Sequence, residues 1–215
     1  MKTKNLILNL FTLAAAAGLV AGCASTGNDK AASTASALTE SSSMIAKGNT
    51  LIDQTLANLN DLVSNPQPDL REQFKTFNSS VDKLGSAAKD VSSKAEEMKS
   101  QGAAYFKKWD KEMAKMQNED IRNRSEARKN EVASRFARIS QQYDETKTAF
   151  LPYMSDLRDM QKFLSTDLTA GGLAAIKDVA AKATKDAVPL KESLAKLSDE
   201  FRSLGLSMSP TTPAK

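Results

Sequence analysis

The sequence contains no histidine and only one cysteine, Cys23, among its 215 residues. Without histidine, the chain lacks the usual general base of nucleophilic catalysis and the commonest metal ligand. It also has no glycine-rich phosphate loop and no Cys/His metal spacing. A lone cysteine cannot form an internal disulfide, so this thiol needs another explanation. We therefore expect no enzymatic activity, no metal and no cofactor.

The single cysteine follows a segment that is typical of secretion signals. Lys2 and Lys4 precede an apolar stretch over residues 6–17, which is too short to span a bilayer comfortably. Residues 20–23 then read Val-Ala-Gly-Cys, which resembles the lipobox of bacterial lipoproteins. The resemblance implies a signal peptide over residues 1–22 and a diacylglyceride on the Cys23 thiol. The alternative is an ordinary signal peptide followed by an unmodified cysteine.

A lipid on Cys23 would determine where the protein resides. Two or three acyl chains hold a protein on a membrane stably, whereas one chain holds it only marginally. Ala24 is not the aspartate that usually retains such proteins at an inner membrane. In a diderm host, the resemblance therefore implies an outer-membrane protein that faces the periplasm.

Proline and glycine are also scarce, with six and nine residues, and beyond the N-terminal region most of them lie where helices would stop. Residues 23–37, rich in Ala, Ser and Thr, read as the lipidated cysteine and a flexible tether. Residues 205–215 read as a disordered tail. Between them, over residues 38–204, apolar residues recur at alternating spacings of three and four, which predicts an all-α domain of four helices.

The two middle helices are the longest, and we expect them to fold back on each other about Asn118. In the register that this turn imposes, Trp109 faces Arg128 and Tyr105 faces Val132. The result is an antiparallel hairpin about 70 Å long. Two shorter helices would pack on its base as a partial four-helix bundle, leaving residues 99–137 as two helices alone. Pro152 and Pro189 lie within the helical pattern and should kink or break their helices.

Several short motifs resemble a family of bacterial coiled-coil lipoproteins catalogued as a domain of unknown function. They are Phe106-Lys-Lys-Trp109-Asp-Lys-Glu112, Ile121-Arg122, Ser125-Glu126, Arg135, Tyr143, Leu151-Pro152 and residues 164–168. The similarity covers roughly residues 38–204. Other members tend to carry an Asn-rich helix end where this chain has Thr169-Ala-Gly-Gly172. The resemblance implies the helical fold and the anchor, and it implies no active site.

Positive charge is concentrated in the middle of the chain. Residues 105–140 contain ten Lys/Arg, six Asp/Glu and the only tryptophan. Aromatic, methionine and arginine side chains are enriched at interfaces, so this distal region is a candidate partner-docking surface. The candidate residues are Tyr105, Phe106, Trp109, Met113, Met116, Arg122, Arg124 and Arg128. The alternative is that they fill the seam between two helices. We also predict a cation–π contact between Arg128 and Trp109.

Two functions are consistent with these features. The first is a structural or adaptor lipoprotein that docks an envelope protein, or a second copy of itself, through residues 105–140. That surface could also bind peptidoglycan or anionic lipid. The second is a membrane-active or lipid-handling protein whose amphipathic helices expose their apolar seams. Nucleic acid is an improbable partner because acids are interleaved among the basic residues and the compartment is wrong.

Overall fold

The computed structural model describes residues 27–210, and these fold into four α-helices with no strand among them. The helices are α1 (Gly27–Ser64), α2 (Arg71–Met113), α3 (Glu119–Thr166) and α4 (Ala170–Met208). α1 packs between α2 and α4, and α3 packs against the same two helices on the other side. Consecutive helices run antiparallel, which makes an up-down-up-down four-helix bundle. The prediction of an all-α fold is confirmed.

The three turns lie close to the predicted breaks. α1 ends at Ser64, directly before the Asn-Pro-Gln-Pro segment. Asn118 caps α3 by accepting a hydrogen bond from the Ile121 N–H at 3.0 Å, and Thr169 caps α4 by accepting one from the Gly172 N–H at 3.1 Å. Side-chain oxygens thus satisfy amides that would otherwise lack a partner in the first helical turn. None of the helices within residues 27–210 is both long and apolar enough to cross a bilayer.

The core consists of two clusters stacked along the bundle. The first lies near the α1–α2 and α3–α4 turns and includes Phe77, Leu157 and Leu164. The second lies towards the α2–α3 turn and includes Met98, Ile139 and Phe201. Residues from all four helices contribute to both clusters. All four helices therefore pack together over most of the length of the bundle.

The tether predicted over residues 23–37 is wrong for residues 27–37, which form the first turns of α1. Thr34, Ala35 and Ala37 are buried there. The small side chains that seemed unable to bury enough surface instead permit close packing. The buried Thr34 hydroxyl group is satisfied within the helix, since Oγ1 donates to the Lys30 carbonyl at 2.8 Å. Residues 23–26 lie outside the described part of the chain.

The predicted tail at residues 205–215 is likewise wrong at its start, since α4 continues through Gly205 to Met208. Gly205 does not stop the helix; it allows α1 to approach closely. A Cβ at this position would lie 2.8 Å from Thr39 Oγ1 and 3.0 Å from the Ala35 carbonyl oxygen. Residues 211–215 lie outside the described range.

The longer α1 and α4 also correct the expectation that residues 99–137 form a bare two-helix hairpin. Ser33 Oγ of α1 donates to Gln101 Oε1 of α2, and Arg128 Nη2 of α3 donates to the Ser207 carbonyl of α4 at 3.1 Å. Only the last turns around Asn118 project beyond the other two helices. Neither proline breaks its helix, since Pro152 lies inside α3 and Pro189 inside α4.

Candidate functional site

The aromatic residues of the predicted docking surface pack largely into the bundle. The Tyr105 ring lies 5.5 Å from the Phe106 ring and 5.3 Å from the Trp109 ring, centroid to centroid. Phe106 meets the buried Phe136 ring edge-on at 5.8 Å. Burial raises the pKa of Tyr105, while the positive charge of Arg128 opposes that rise. These half-buried rings cover the end of the core, which favours the seam-filling interpretation for them.

The predicted cation–π contact between Arg128 and Trp109 is wrong. Trp109 Nε1 donates to Ser125 Oγ at 2.8 Å, one helical turn from the predicted partner. Arg128 instead pairs with Glu131 at 2.7 Å and reaches the end of α4. The indole N–H of Trp109 is therefore satisfied by the Ser125 hydroxyl group, as is usual for a partly buried tryptophan. Within residues 27–210, the cation–π contact that forms places Lys99 Nζ 5.5 Å from the Tyr143 ring centroid.

The remaining predicted docking residues lie at the α2–α3 turn. Met113 and Met116 are half-buried, and Arg122 and Arg124 are exposed. Ile121, beside them, is 55% exposed. The structure therefore divides the eight predicted residues into packed aromatic rings with Arg128, and an accessible group at the turn. Cys23, the predicted lipidation site, lies outside the described residues.

The sequence did not predict a groove that opens between α2 and α3 midway along the bundle. It has a volume of about 570 Å³, within the range of small-molecule sites. Its α2 wall carries small side chains, among them Gly85, Ala88 and Ser92, and its α3 wall carries Phe150 and Leu151. Residues of α1 and α4 form the floor: Ile45, Gly48, Ile52, Leu194 and Leu197.

Four charged side chains also line this mainly apolar groove. They are Lys89 on α2, and Lys147, Arg158 and Asp159 on α3. Lys147 Nζ donates to Ser92 Oγ at 3.4 Å across the groove. Arg158 crosses towards α2 at the other end, so that a Cβ on Gly85 would lie 3.0 Å from its Nη2. Within residues 27–210, none of the three cations forms an ion pair.

The groove combines apolar walls with a surplus of positive charge. From Tyr143 to Asp159, its α3 wall extends over about 24 Å of helix. Such a site suits an elongated apolar group that ends in an anion. Within residues 27–210, no three His, Cys, Asp or Glu side chains lie close enough together to hold a metal ion.

One sequence signal could have indicated the groove. Residues 85–88 read Gly-Ser-Ala-Ala, beside seam positions that face Phe150 and Met154 of α3. Small residues opposite large ones leave space unless a neighbouring helix fills it. Heptad spacing reports which face of a helix is apolar but not how far apart two faces lie, so this signal could not be interpreted without the packing.

The fold and the geometry of the groove define this chain as an antiparallel four-helix bundle with a groove on one side. By sequence, the chain belongs to the family described as "Protein of unknown function (DUF2959)", whose model matches residues 23–202. Neither the curated proteins nor the solved structures include a match to the chain.

Proposed function

We propose that this protein is a lipid-anchored protein of the cell envelope whose bundle binds a single-chain anionic amphiphile in the groove between α2 and α3. The lipobox-like residues 20–23 and the single cysteine support the anchor. The family match also begins at Cys23, where that motif places the cleavage. In a diderm host the protein would be held at the outer membrane and face the periplasm.

The groove is the observation that carries the proposed binding function. Each methylene of an acyl chain gains about 0.8 kcal/mol on leaving water for an apolar site, so even part of a chain would bind measurably. Phe150, Val91 and Leu194 offer such a surface. Lys89 and Lys147 stand on opposite walls and can approach one anionic headgroup together. Lysophospholipids with an anionic headgroup have this combination of one chain and one charge.

Binding can be tested with the chain from residue 23 onward carrying Cys23→Ser, which retains the whole described bundle and needs no detergent. We expect displacement of a fluorescent fatty acid by lysophosphatidylglycerol at lower concentrations than by lysophosphatidylcholine with the same acyl chain. Equal displacement by the two lipids, or none by either, would contradict the proposal.

Two variants assign that binding to the groove. Ala88→Phe fills it and should weaken lysophosphatidylglycerol binding about tenfold or more, since several buried methylenes are displaced. Ala175→Phe, on an exposed face of α4, is the matched control and should bind normally. Lys147→Gln should weaken binding of the anionic lipid by about two- to fivefold without affecting the zwitterionic one. Lys185→Gln, exposed on α4, controls for net charge.

An adaptor that docks an envelope protein through residues 105–140 is the second candidate. It is favoured by the exposed Ile121 beside Arg122 and Arg124. Its support is narrower than the sequence suggested, because Tyr105, Phe106 and Trp109 contact one another and the core. We rank it below lipid binding for that reason.

A further inference from the structure

The N-terminus of α1 and the α2–α3 turn lie at the same end of the bundle. Ser33 bonds to Gln101, and Glu40 pairs with Lys94 at 2.7 Å, which fixes the antiparallel register of α1 and α2. Six residues before Ser33 is Gly27, and six residues after Gln101 is Lys107. Gly27 therefore lies level with Lys107, one or two turns short of the end of α2.

This geometry limits how far a lipid on Cys23 can be from the turn. Met113, the last residue of α2, lies six residues beyond Lys107, or about 9 Å along the helix. Four peptide steps separate Cys23 from Gly27, and they span at most about 14 Å. An anchoring membrane would therefore lie at the level of the α2–α3 turn. The opposite end of α3 is about 70 Å away.

The two ends of the bundle carry opposite charge. The hairpin tip, which we define as residues 107–129, contains eight Lys/Arg and five Asp/Glu, for a net charge of +3. The base end, residues 61–75 with 159–175, contains three Lys/Arg and five Asp/Glu, for a net charge of −2. An anionic surface would attract the tip and repel the base.

The side chains at the tip suit a phospholipid surface. Arg122 and Arg124 are exposed, and within the 27–210 range their guanidinium groups form no ion pair. Ile121 lies between them and the turn, with 55% of its surface exposed. Met113 and Met116 are half-buried beside it. Apolar side chains flanked by basic ones are typical of segments that rest at the headgroup boundary.

We propose that the hairpin tip docks onto the anionic phospholipid headgroups of the same leaflet that holds the acyl chains on Cys23. The bundle then stands with its tip on the membrane and its base furthest from it. This is the reverse of a hairpin that projects away from its anchor. The proposal rests on the anchor included in the proposed function, and it is independent of what the groove binds.

Two labels at opposite ends measure this orientation in the lipidated protein. Gln117→Cys places a thiol at the tip and Gln67→Cys places one at the base, and both positions are exposed. Acylation leaves Cys23 unavailable to the label. In vesicles that contain phosphatidylglycerol and an acceptor-labelled lipid, we expect strong energy transfer from a donor at residue 117 and little from a donor at residue 67. Stronger transfer from residue 67 would overturn the proposal.

Charge reversal tests the surface without the anchor. The Cys23→Ser chain should co-sediment with phosphatidylglycerol vesicles and not with phosphatidylcholine vesicles. Arg122→Glu with Arg124→Glu should weaken that binding about tenfold or more, since each basic residue near an anionic surface contributes substantially. Lys75→Glu with Lys162→Glu, at the base, is the matched control and should have little effect. Equal losses in the two pairs would overturn the tip assignment.

The mass of the purified protein separates the two proposals. An unacylated Cys23 would overturn the anchor together with this orientation. An acylated protein whose base lies nearer the membrane would overturn the orientation alone and leave lipid binding in the groove intact. Binding of the tip to a co-purified envelope protein, with no preference for phosphatidylglycerol, would favour the adaptor role instead.

Discussion

The α1–α4 interface and the α2–α3 interface differ in how closely the helices pack. Gly205 of α4 lies against the α1 backbone, and Ser42 Oγ lies 3.0 Å from Ser198 Oγ in a buried pair. On the other side of the bundle, Gly85 and Ala88 of α2 face large residues of α3, and a groove opens between them. Small residues on α1 and α4 at the same level thus allow close approach, whereas the small residues of α2 at the groove leave space opposite the larger residues of α3.

The largest expected effect on stability comes from removing one of two phenylalanine rings, that of Phe201 in α4 or that of Phe150 at the α2–α3 interface. Phe201 of α4 is fully buried, and Phe201→Ala should lower the free energy of unfolding by about 3–5 kcal/mol. Phe150 of α3 is half-buried in the groove wall, and Phe150→Ala should cost about 1 kcal/mol. Urea unfolding followed by circular dichroism measures both. Similar losses of stability in the two variants would show that the groove wall is packed as closely as the core. The proposed difference in packing between the two interfaces would then be wrong.

Two glycines offer a comparison in which the effects have opposite signs. In Gly205→Ala the new methyl group meets the α1 backbone and Thr39, so the variant should be destabilised by about 1–3 kcal/mol. Gly48 lines the groove, and a Cβ there has no atom within 4 Å. Gly48→Ala should therefore stabilise the protein by about 0.5–1 kcal/mol through helix propensity alone. Thermal unfolding gives the two signs directly, and destabilisation by Gly48→Ala would mean that the groove is closed in solution.

The sequence predicted the helices better than their ends. Heptad spacing indicated four helices, and the predicted breaks at residues 65–68, at Asn118 and at residues 169–172 lie close to the three turns. The hairpin register was correct to within a turn, since Trp109 contacts Ser125 and Asp110 pairs with Lys129 at 2.5 Å. Apolar periodicity identifies these features because it depends only on which face of each helix is buried.

The errors have a common physical cause. Residues 27–37 and Gly205 contain little apolar surface, which predicts a tether and a helix stop. Their contribution is close approach between α1 and α4, which depends on a partner helix and is invisible in either segment alone. The same limitation concealed the groove. Because α1 begins earlier than predicted, at Gly27, its first residue lies towards the tip end of the bundle and nearer to the predicted docking surface.

The smallest expected effect comes from a surface charge rather than from helix packing. Hydrogen bonds from the Arg71 side chain and backbone lower the pKa of Asp69, beside the start of α2, to about 2. Because this pKa is lower in the folded state than in the unfolded chain, the stabilisation is present above about pH 4 and is lost as the pH falls towards 2. Asp69→Asn should therefore lower the Tm slightly at pH 6 and not at pH 2. The loss at pH 6 should be smaller than that of Gly205→Ala, because both side chains are exposed to solvent. A difference that persisted unchanged to pH 2 would show that the Asp69 charge has no part in it.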